Sequence, residues 1–249
     1  MTRQIENPST RVAVVTGGSR GIGRQAAERL ALEGFSVVIG YAGNHSEAFK
    51  AVAGITAGGG AAVAVQADVA DESAVEALFD AAEREFGGTD VVVNCAGIMS
   101  LGPVADFDLA TLDRMHRTNI RGTFVVSQQA ARRVRDSGAI INLSTSVTKL
   151  ALPGYAPYAA SKAAVDAISL ILAKELRGRD VTVNAVAPGP TATALFLDGK
   201  DKETIDRLAQ MNPLERLGTP DDIADLIAFL AGPGRWINGQ TIHANGGMA

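Results

Sequence analysis

Apolar β-branched runs alternate with amphipathic segments from one end of the chain to the other. The runs predict strands over Val12 to Thr16, Ser36 to Gly40, Ala62 to Gln66, Val91 to Asn94, Ala139 to Leu143, Val181 to Val186 and Gln240 to Ala244. Between them, helical spacing predicts helices near Ile22 to Glu33, Ser46 to Ala57, Glu72 to Phe86, Leu109 to Arg135, Tyr158 to Arg177 and Pro220 to Leu230. Strands alternating with helices argue for a parallel sheet covered on both faces. With right-handed crossovers, the leading architecture is an α/β, Rossmann-type doubly wound parallel sheet of about seven strands. The glycine-rich GITAGGGAA, Gly54 to Ala62, reads as a helix stop and turn. No repeat or composition break marks a second domain, so residues 1–249 form one unit, with the irregular stretch 189–213 expected to be a mobile flap holding a short helix.

In such a sheet ligands bind beyond the carboxyl ends of the strands, and the sequence there carries chemistry. TGGSRGIGRQAAERL follows the first strand. Gly17, Gly21 and Gly23 suit a turn that a ligand and a neighbouring strand approach closely, and the helix that follows offers unpaired N–H groups to an anion such as a pyrophosphate. The spacing is GxxxGxG rather than the usual GxGxxG, so this turn alone does not establish a dinucleotide site. Tyr158 and Lys162, in YAASK, stand one helical turn apart on one face, where an ammonium would favour the phenolate and lower a pKa ordinarily near ~10. Thr145 lies thirteen residues before Tyr158 in NLSTS, at a strand end, with hydroxyls beside it at Ser144 and Ser146. Such a hydroxyl orients a substrate carbonyl. Asn94, Ala96 and Gly97 close the fourth strand in NCAG, Asn119 sits in HRTNIRGTF, and Asp68, next to Val69, is placed to accept a hydrogen bond from an adenine amino group. Taken singly, Asn94 and Asp68 read better as turn residues and Asn119 as a polar residue inside a helix.

Composition narrows the partners. The chain of 249 residues is 47% hydrophobic and 20% charged, enough for a full core. A net charge of -4 without a dense basic cluster argues against nucleic acid. No apolar run reaches membrane-spanning length, and the polar opening MTRQIENPSTR lacks the apolar core of a signal peptide, so a cytoplasmic protein with a small-molecule partner is expected. Cys95 is the single cysteine and His45, His116 and His243 share no close spacing, so no metal site is expected.

From RVAVVTGGSRGIG through NCAG, Asn119, NLSTS, YAASK and VTVNAVAPGPTAT to NGQTIHANGG, the chain resembles the classical short-chain dehydrogenase/reductase family. Within it the chain is similar to 3-oxoacyl-carrier-protein reductases and the polyhydroxynaphthalene-reductase group. The resemblance implies a nicotinamide cofactor and a catalytic tetrad of Asn119, the hydroxyl at Thr145, Tyr158 and Lys162, with Ser146 as second choice for the hydroxyl. It also implies that Lys162 binds the nicotinamide ribose, that Asn119 holds a water of a proton relay, and that the carboxamide lies against VAPGPTAT, with Pro188 and Gly189 fixing the turn and Thr191 and Thr193 as donors. The family usually has Ser where Thr145 stands; threonine keeps the hydroxyl and adds a methyl group.

Cofactor choice follows from the second strand's end. An NAD site there normally carries an acid for the ribose 2'-OH, whereas Tyr41, Ala42, Gly43 and Asn44 are neutral and the next acid is Glu47. Arg20, beside Ser19 and Ile22 in the glycine turn, suits a 2'-phosphate, so NADP(H) is favoured over NAD(H). The expected activity is NADPH-dependent reduction of a ketone to an alcohol; an NAD-dependent alcohol dehydrogenase and a silent NADPH-binding regulator are the alternatives. Leu150, Leu152, Pro153, Tyr155, Leu195, Phe196 and Met211 are expected to furnish an apolar substrate pocket, and the resemblance, together with the apolar content of the two longest helices, implies a homotetramer.

Overall fold

The computed structural model describes residues 10–249; most of the polar opening lies outside the described residues. Seven strands, β1 Val12–Thr16, β2 Ser36–Tyr41, β3 Ala62–Gln66, β4 Thr89–Asn94, β5 Val134–Leu143, β6 Thr182–Pro188 and β7 Thr241–Ala244, form one sheet in the order β3-β2-β1-β4-β5-β6-β7. Every pairing is parallel. The Rossmann-type architecture is therefore as expected.

Period-two alternation sorts the strand residues between two cores. Ala13, Val15, Val37, Ile39, Val91 and Val93 pack under α1 (Gly21–Leu32), α2 (His45–Ala57) and a late helix, Pro220–Ala231. Val12, Val14, Val38, Val92 and Ile140 face α3 (Glu72–Phe86) and the helices Gly122–Arg133 and Ala156–Glu175. Burial on both faces is why β1 and β2 read as unbroken apolar runs. Among the described residues no helix is long and apolar enough to cross a membrane.

Three departures from the sequence reading have local causes. The expected helix Leu109–Arg135 is α4 (Leu109–His116), a π-helical turn over Arg117–Arg121 and α5 (Gly122–Arg133), and its last two residues already belong to β5. Strand β5 starts early because Arg135 grips Asp90 through a 2.8 Å bond from Nε to Oδ1 while the register shifts between Thr89 and Val91. The 189–213 stretch holds two helices, α8 (Ala194–Leu197) and α9 (Lys202–Gln210), besides the short α6 (Val147–Leu150) further upstream; α9 starts where Asp201 accepts from Thr204 N at 2.8 Å. The remaining helices are α7 (Ala156–Glu175) and α10 (Pro220–Ala231).

Register brings the chemistry to one edge. Thr16 is level with Asn94, Asn94 with Asn142, and Leu143 with Val186. The loops leaving β1, β4, β5 and β6 thus open side by side, and the order reverses between β1 and β4, the crevice where doubly wound sheets bind ligands.

Candidate active site

A cleft of about 640 Å³ runs along this edge. At one end lies the glycine turn. Gly17 has φ +63°, and a Cβ on it would stand 2.9 Å from Ala96 N; a Cβ on Gly23 would stand 2.4 Å from Gly17 O. Neither position tolerates a side chain, so β1, α1 and the β4 loop close together. Arg20 precedes α1 without a side-chain cap on the helix, which leaves the first-turn N–H groups aimed at the cleft. Gly17, Ser19, Arg20, Gly21, Ile22 and Gly23 all line it, as do Ala42, Gly43, Asn44, Asp68, Val69, Ala96 and Gly97. No acid stands among Ala42–Asn44, and Glu47 is turned away to Lys50 at 2.6 Å and Arg24 at 3.6 Å. Arg20 has no ion-pair partner among the described residues.

Two expected cofactor residues lie elsewhere. Tyr41 is buried in the core with its ring edge-on to His45, 5.9 Å between centroids, because alternation points it away from the cleft. Asn94 lies beneath the floor: its Oδ1 accepts from Thr16 Oγ1 at 2.6 Å, and that hydroxyl accepts from Ala96 N at 3.2 Å, so Asn94 shapes the β4 loop. Asp68 is exposed and pairs with Arg117 at 2.7 Å while accepting from Ala70 N.

At the other end, α7 carries Tyr158 and Lys162 inward, with Pro157 in its first turn. Lys162 Nζ donates to Leu143 O at 2.6 Å and lies 6.0 Å from the Tyr158 ring centroid. Asn119 sits on the π-helical turn, fully buried; Oδ1 accepts from Ile98 N at 2.9 Å, and Nδ2 donates to Ile98 O at 2.8 Å and to Ser161 Oγ at 3.0 Å. A Cβ on Gly97 would stand 3.3 Å from Asn119 Oδ1 and 3.4 Å from Lys162 Nζ, so these groups converge on the β4 end. The three hydroxyls after β5 differ. Ser146 Oγ donates to Ala187 O at 2.9 Å and accepts from Asn245 Nδ2 at 3.1 Å, and Ser144 Oγ reaches Lys162 O at 3.4 Å. Thr145 Oγ1 makes only a 3.4 Å contact from Val147 N, leaving its proton free to point into the cleft.

A family model described as enoyl-(acyl carrier protein) reductase matches residues 17–249. A short-chain type dehydrogenase/reductase of Picea abies is 43% identical over 96% of this chain and 92% of its own length. The chain belongs to the short-chain dehydrogenase/reductase family. An NADPH-dependent aldehyde reductase-like protein, chloroplastic, of Arabidopsis thaliana is 43% identical over 95% of this chain and 93% of its own. Among solved structures, a short chain dehydrogenase from Burkholderia cenocepacia J2315 in complex with NADP has 40% identity and a TM-score of 0.90, covering 96% of this chain and 97% of that one. Like its relatives, this short-chain dehydrogenase/reductase is an oxidoreductase.

Its electrostatics correct one expectation. Burial, with Tyr155 adding to it, pushes the Tyr158 phenol up to about 12 instead of down. Burial also pulls Lys162 down to about 8, opposed by Cys95 and Asp166, so this ammonium is costly to hold, and Leu143 O accepts one of its protons. The Asn119 side chain donates both its amide protons, which makes it a tie between the β4 loop and α7. Thr191 gives its proton to Gly189 O at 2.9 Å, whereas Thr193 Oγ1 accepts from Phe196 N and keeps its proton; Pro188, Gly189 and both threonines line the cleft.

Leu150, Leu152, Tyr155, Leu195 and Phe196 wall the cleft, whereas Pro153 and Met211 do not. Ile98, Met99, Leu208 and Met248 also join the wall: the first two and Met248 lie outside helices and strands and carry no periodic signal, and Leu208 is the buried residue of α9, inside the stretch that reads as irregular. Ser161, the link between Asn119 and α7, was legible only as the neighbour of Lys162.

Proposed function

We propose that this chain is an NADPH-dependent carbonyl reductase for apolar ketones or aldehydes. The observation that carries this reading is the convergence of Tyr158, Lys162 and the free Thr145 hydroxyl at the apolar end of a cleft whose other end is a glycine cradle. The cradle fits a dinucleotide: side chains are excluded at Gly17 and Gly23, and the α1 N-terminus suits a pyrophosphate. Arg20 with Ala42–Asn44 would hold the 2'-phosphate, Asp68 and Val69 the adenine, Ala96, Gly97 and Lys162 the ribose, and Pro188–Thr193 the carboxamide. Bound NADPH supplies the hydride. Thr145 orients the carbonyl oxygen by donating to it, Tyr158 delivers its proton to that oxygen, and Lys162 lends positive charge to the phenolate that remains. Asn119 positions the β4 loop against α7.

The substrate end of the wall is built from Ile98, Met99, Leu150, Leu152, Tyr155 and Phe196, with no acid or base among them. That suits acyl chains and cyclic or aromatic ketones and disfavours anionic substrates. The NADPH-dependent name of the Arabidopsis relative and the NADP of the Burkholderia structure support the cofactor. Fluorescence titration should give an NADPH affinity at least about tenfold above that for NADH, since an ion pair to Arg20 is added and no carboxylate stands in its way. Equal affinities or an NADH preference would point instead to an NAD-dependent alcohol dehydrogenase.

The choice of hydroxyl is separately testable. Thr145→Val keeps shape but removes the donor to the reacting oxygen, so turnover should fall about tenfold or more with NADPH affinity unchanged. Ser146→Ala should cost much less; the reverse pattern would move the role to Ser146. Exposed Phe124 on α5 and Leu170 and Ile171 on α7 support a homotetramer, and light scattering returning a monomer mass would contradict it. We place the enzyme in the cytoplasm, while noting the chloroplastic name of the Arabidopsis relative.

A further inference from the structure

Three sets of contacts fix the chain from the end of β7 onward beside the catalytic edge. At the first, the Ser146 hydroxyl spends its only proton on Ala187 O at 2.9 Å and accepts from Asn245 Nδ2 at 3.1 Å. His243 Nδ1, 3.3 Å from the same oxygen, must then carry its own proton to bond there. At the second, Asn245 Oδ1 accepts from Gly247 N at 3.0 Å and Met248 N at 3.1 Å, which folds the chain end into a tight turn. At the third, the turn is wedged between neighbours. A Cβ on Gly189 would come within 2.8 Å of Asn245 Cβ, and one on Gly246, at φ +67°, within 2.6 Å of Asn212 Oδ1. Asn212 is itself fixed, donating to Ala209 O and Arg216 O and accepting from Leu214 N.

The turn is therefore held between the loop that bears Thr145 and the base of the 189–213 segment. From there Met248 enters the cleft wall, which Val147 and Leu208 also line. These anchors belong to the β5–β7 half of the sheet, away from the β1 and β2 loops that form the dinucleotide end. Met248 is half-buried, and a thioether side chain can adapt to an apolar neighbour but offers it no directional hydrogen bond.

We propose that Met248 is a specificity-determining residue that sets the size of carbonyl accepted, and that Asn245 is the positioning residue that holds it in the wall. The inference rests on the carbonyl-reductase reading above. It reads substrates by volume, because nothing at this position can pair with a polar group.

The test is a substrate-size series with NADPH. In the wild type, Met248→Ala and Met248→Phe, kcat/KM is measured for a small aliphatic ketone and a bulky aryl ketone. Losing three heavy atoms from an apolar wall should raise the bulky-to-small ratio at least about tenfold in Met248→Ala, and the aromatic ring should lower it by a similar factor. In the two Met248 variants the dissociation constant for NADPH should stay within about twofold, as Met248 is none of the residues assigned to the cofactor. Asn245→Ala should shift the ratio as Met248→Ala does, while Asn245→Asp, which keeps the acceptor for Gly247 and Met248 but loses the donor to Ser146, should shift it less. An unchanged ratio in both Met248 variants would overturn the proposal. The corresponding alcohols, titrated into protein saturated with NADPH and followed by nucleotide fluorescence, give the same ratio as binding. Protein that bound NADPH yet reduced no ketone would refute the reductase reading, and the binding ratio would still decide for or against Met248.

Discussion

Tyr158→Phe is expected to lower kcat for carbonyl reduction by about 10² to 10⁴-fold, the range for a positioned proton transfer, while NADPH binding is retained. The variant removes one oxygen and leaves the buried ring in place, so packing on α7 is kept. Because burial holds the phenol up to about 12, Tyr158 carries its proton throughout the neutral range. The wild-type reduction rate should therefore show no loss from Tyr158 ionisation below pH ~10. Steady-state kinetics with a good ketone, with a fluorescence titration of NADPH alongside, reads both quantities. Full activity in the variant would remove Tyr158 from the chemistry and leave a dinucleotide-binding fold whose reaction lies elsewhere.

How much the sequence reveals differs between the two halves of the cleft, and the difference is physical. The strand β1 falls on its expected residues because burial on both faces writes an unbroken apolar run, whereas β3, half-buried at the sheet edge, is marked by the short AVAVQ run that follows a glycine turn. The glycine turn is legible because close approach excludes Cβ atoms at Gly17 and Gly23, and composition records that directly. Tyr158 and Lys162 are legible because one helical turn of separation is a sequence-local fact. Asn119 is found in the expected segment, but the π-helical turn that aims it is not, since helical periodicity over Leu109–Arg135 continues through a one-residue change of winding. Tyr41 goes astray for the opposite reason: it adjoins the cleft loop in sequence, yet strand alternation buries it. The choice between Thr145 and Ser146 is closed to the sequence as well. It depends on Asn245 and Ala187, far away along the chain, which occupy one hydroxyl and leave the other free.

The other large effect expected is at Lys162, where function and stability oppose each other. Its ammonium is almost wholly buried, with one 2.6 Å hydrogen bond to Leu143 O, and burial lowers its pKa from 10.5 to about 8. Between those values the unfolded chain holds a proton that the folded chain has released, so stability rises with pH across the window, by at most about 3 kcal/mol from this group. Cys95, held up to about 12 by burial, acts in the opposite sense above its ordinary value of 9.0, so the rise should be clearest from pH 8 to 9. Lys162→Met keeps the length and apolar stem while deleting the charge. Its denaturation free energy at pH 7 should equal or exceed that of the wild type, and the rise between pH 8 and 9 should be absent. Reductase activity should be lost by about 10²-fold or more, because no cation remains to favour the phenolate left after proton delivery. Urea titrations of both proteins at pH 7, 8 and 9, with ketone reduction measured at the same values, decide it. A variant that was markedly less stable at pH 7 would show that the ammonium supports the fold, and one that kept its activity would show that Tyr158 needs no cation beside it.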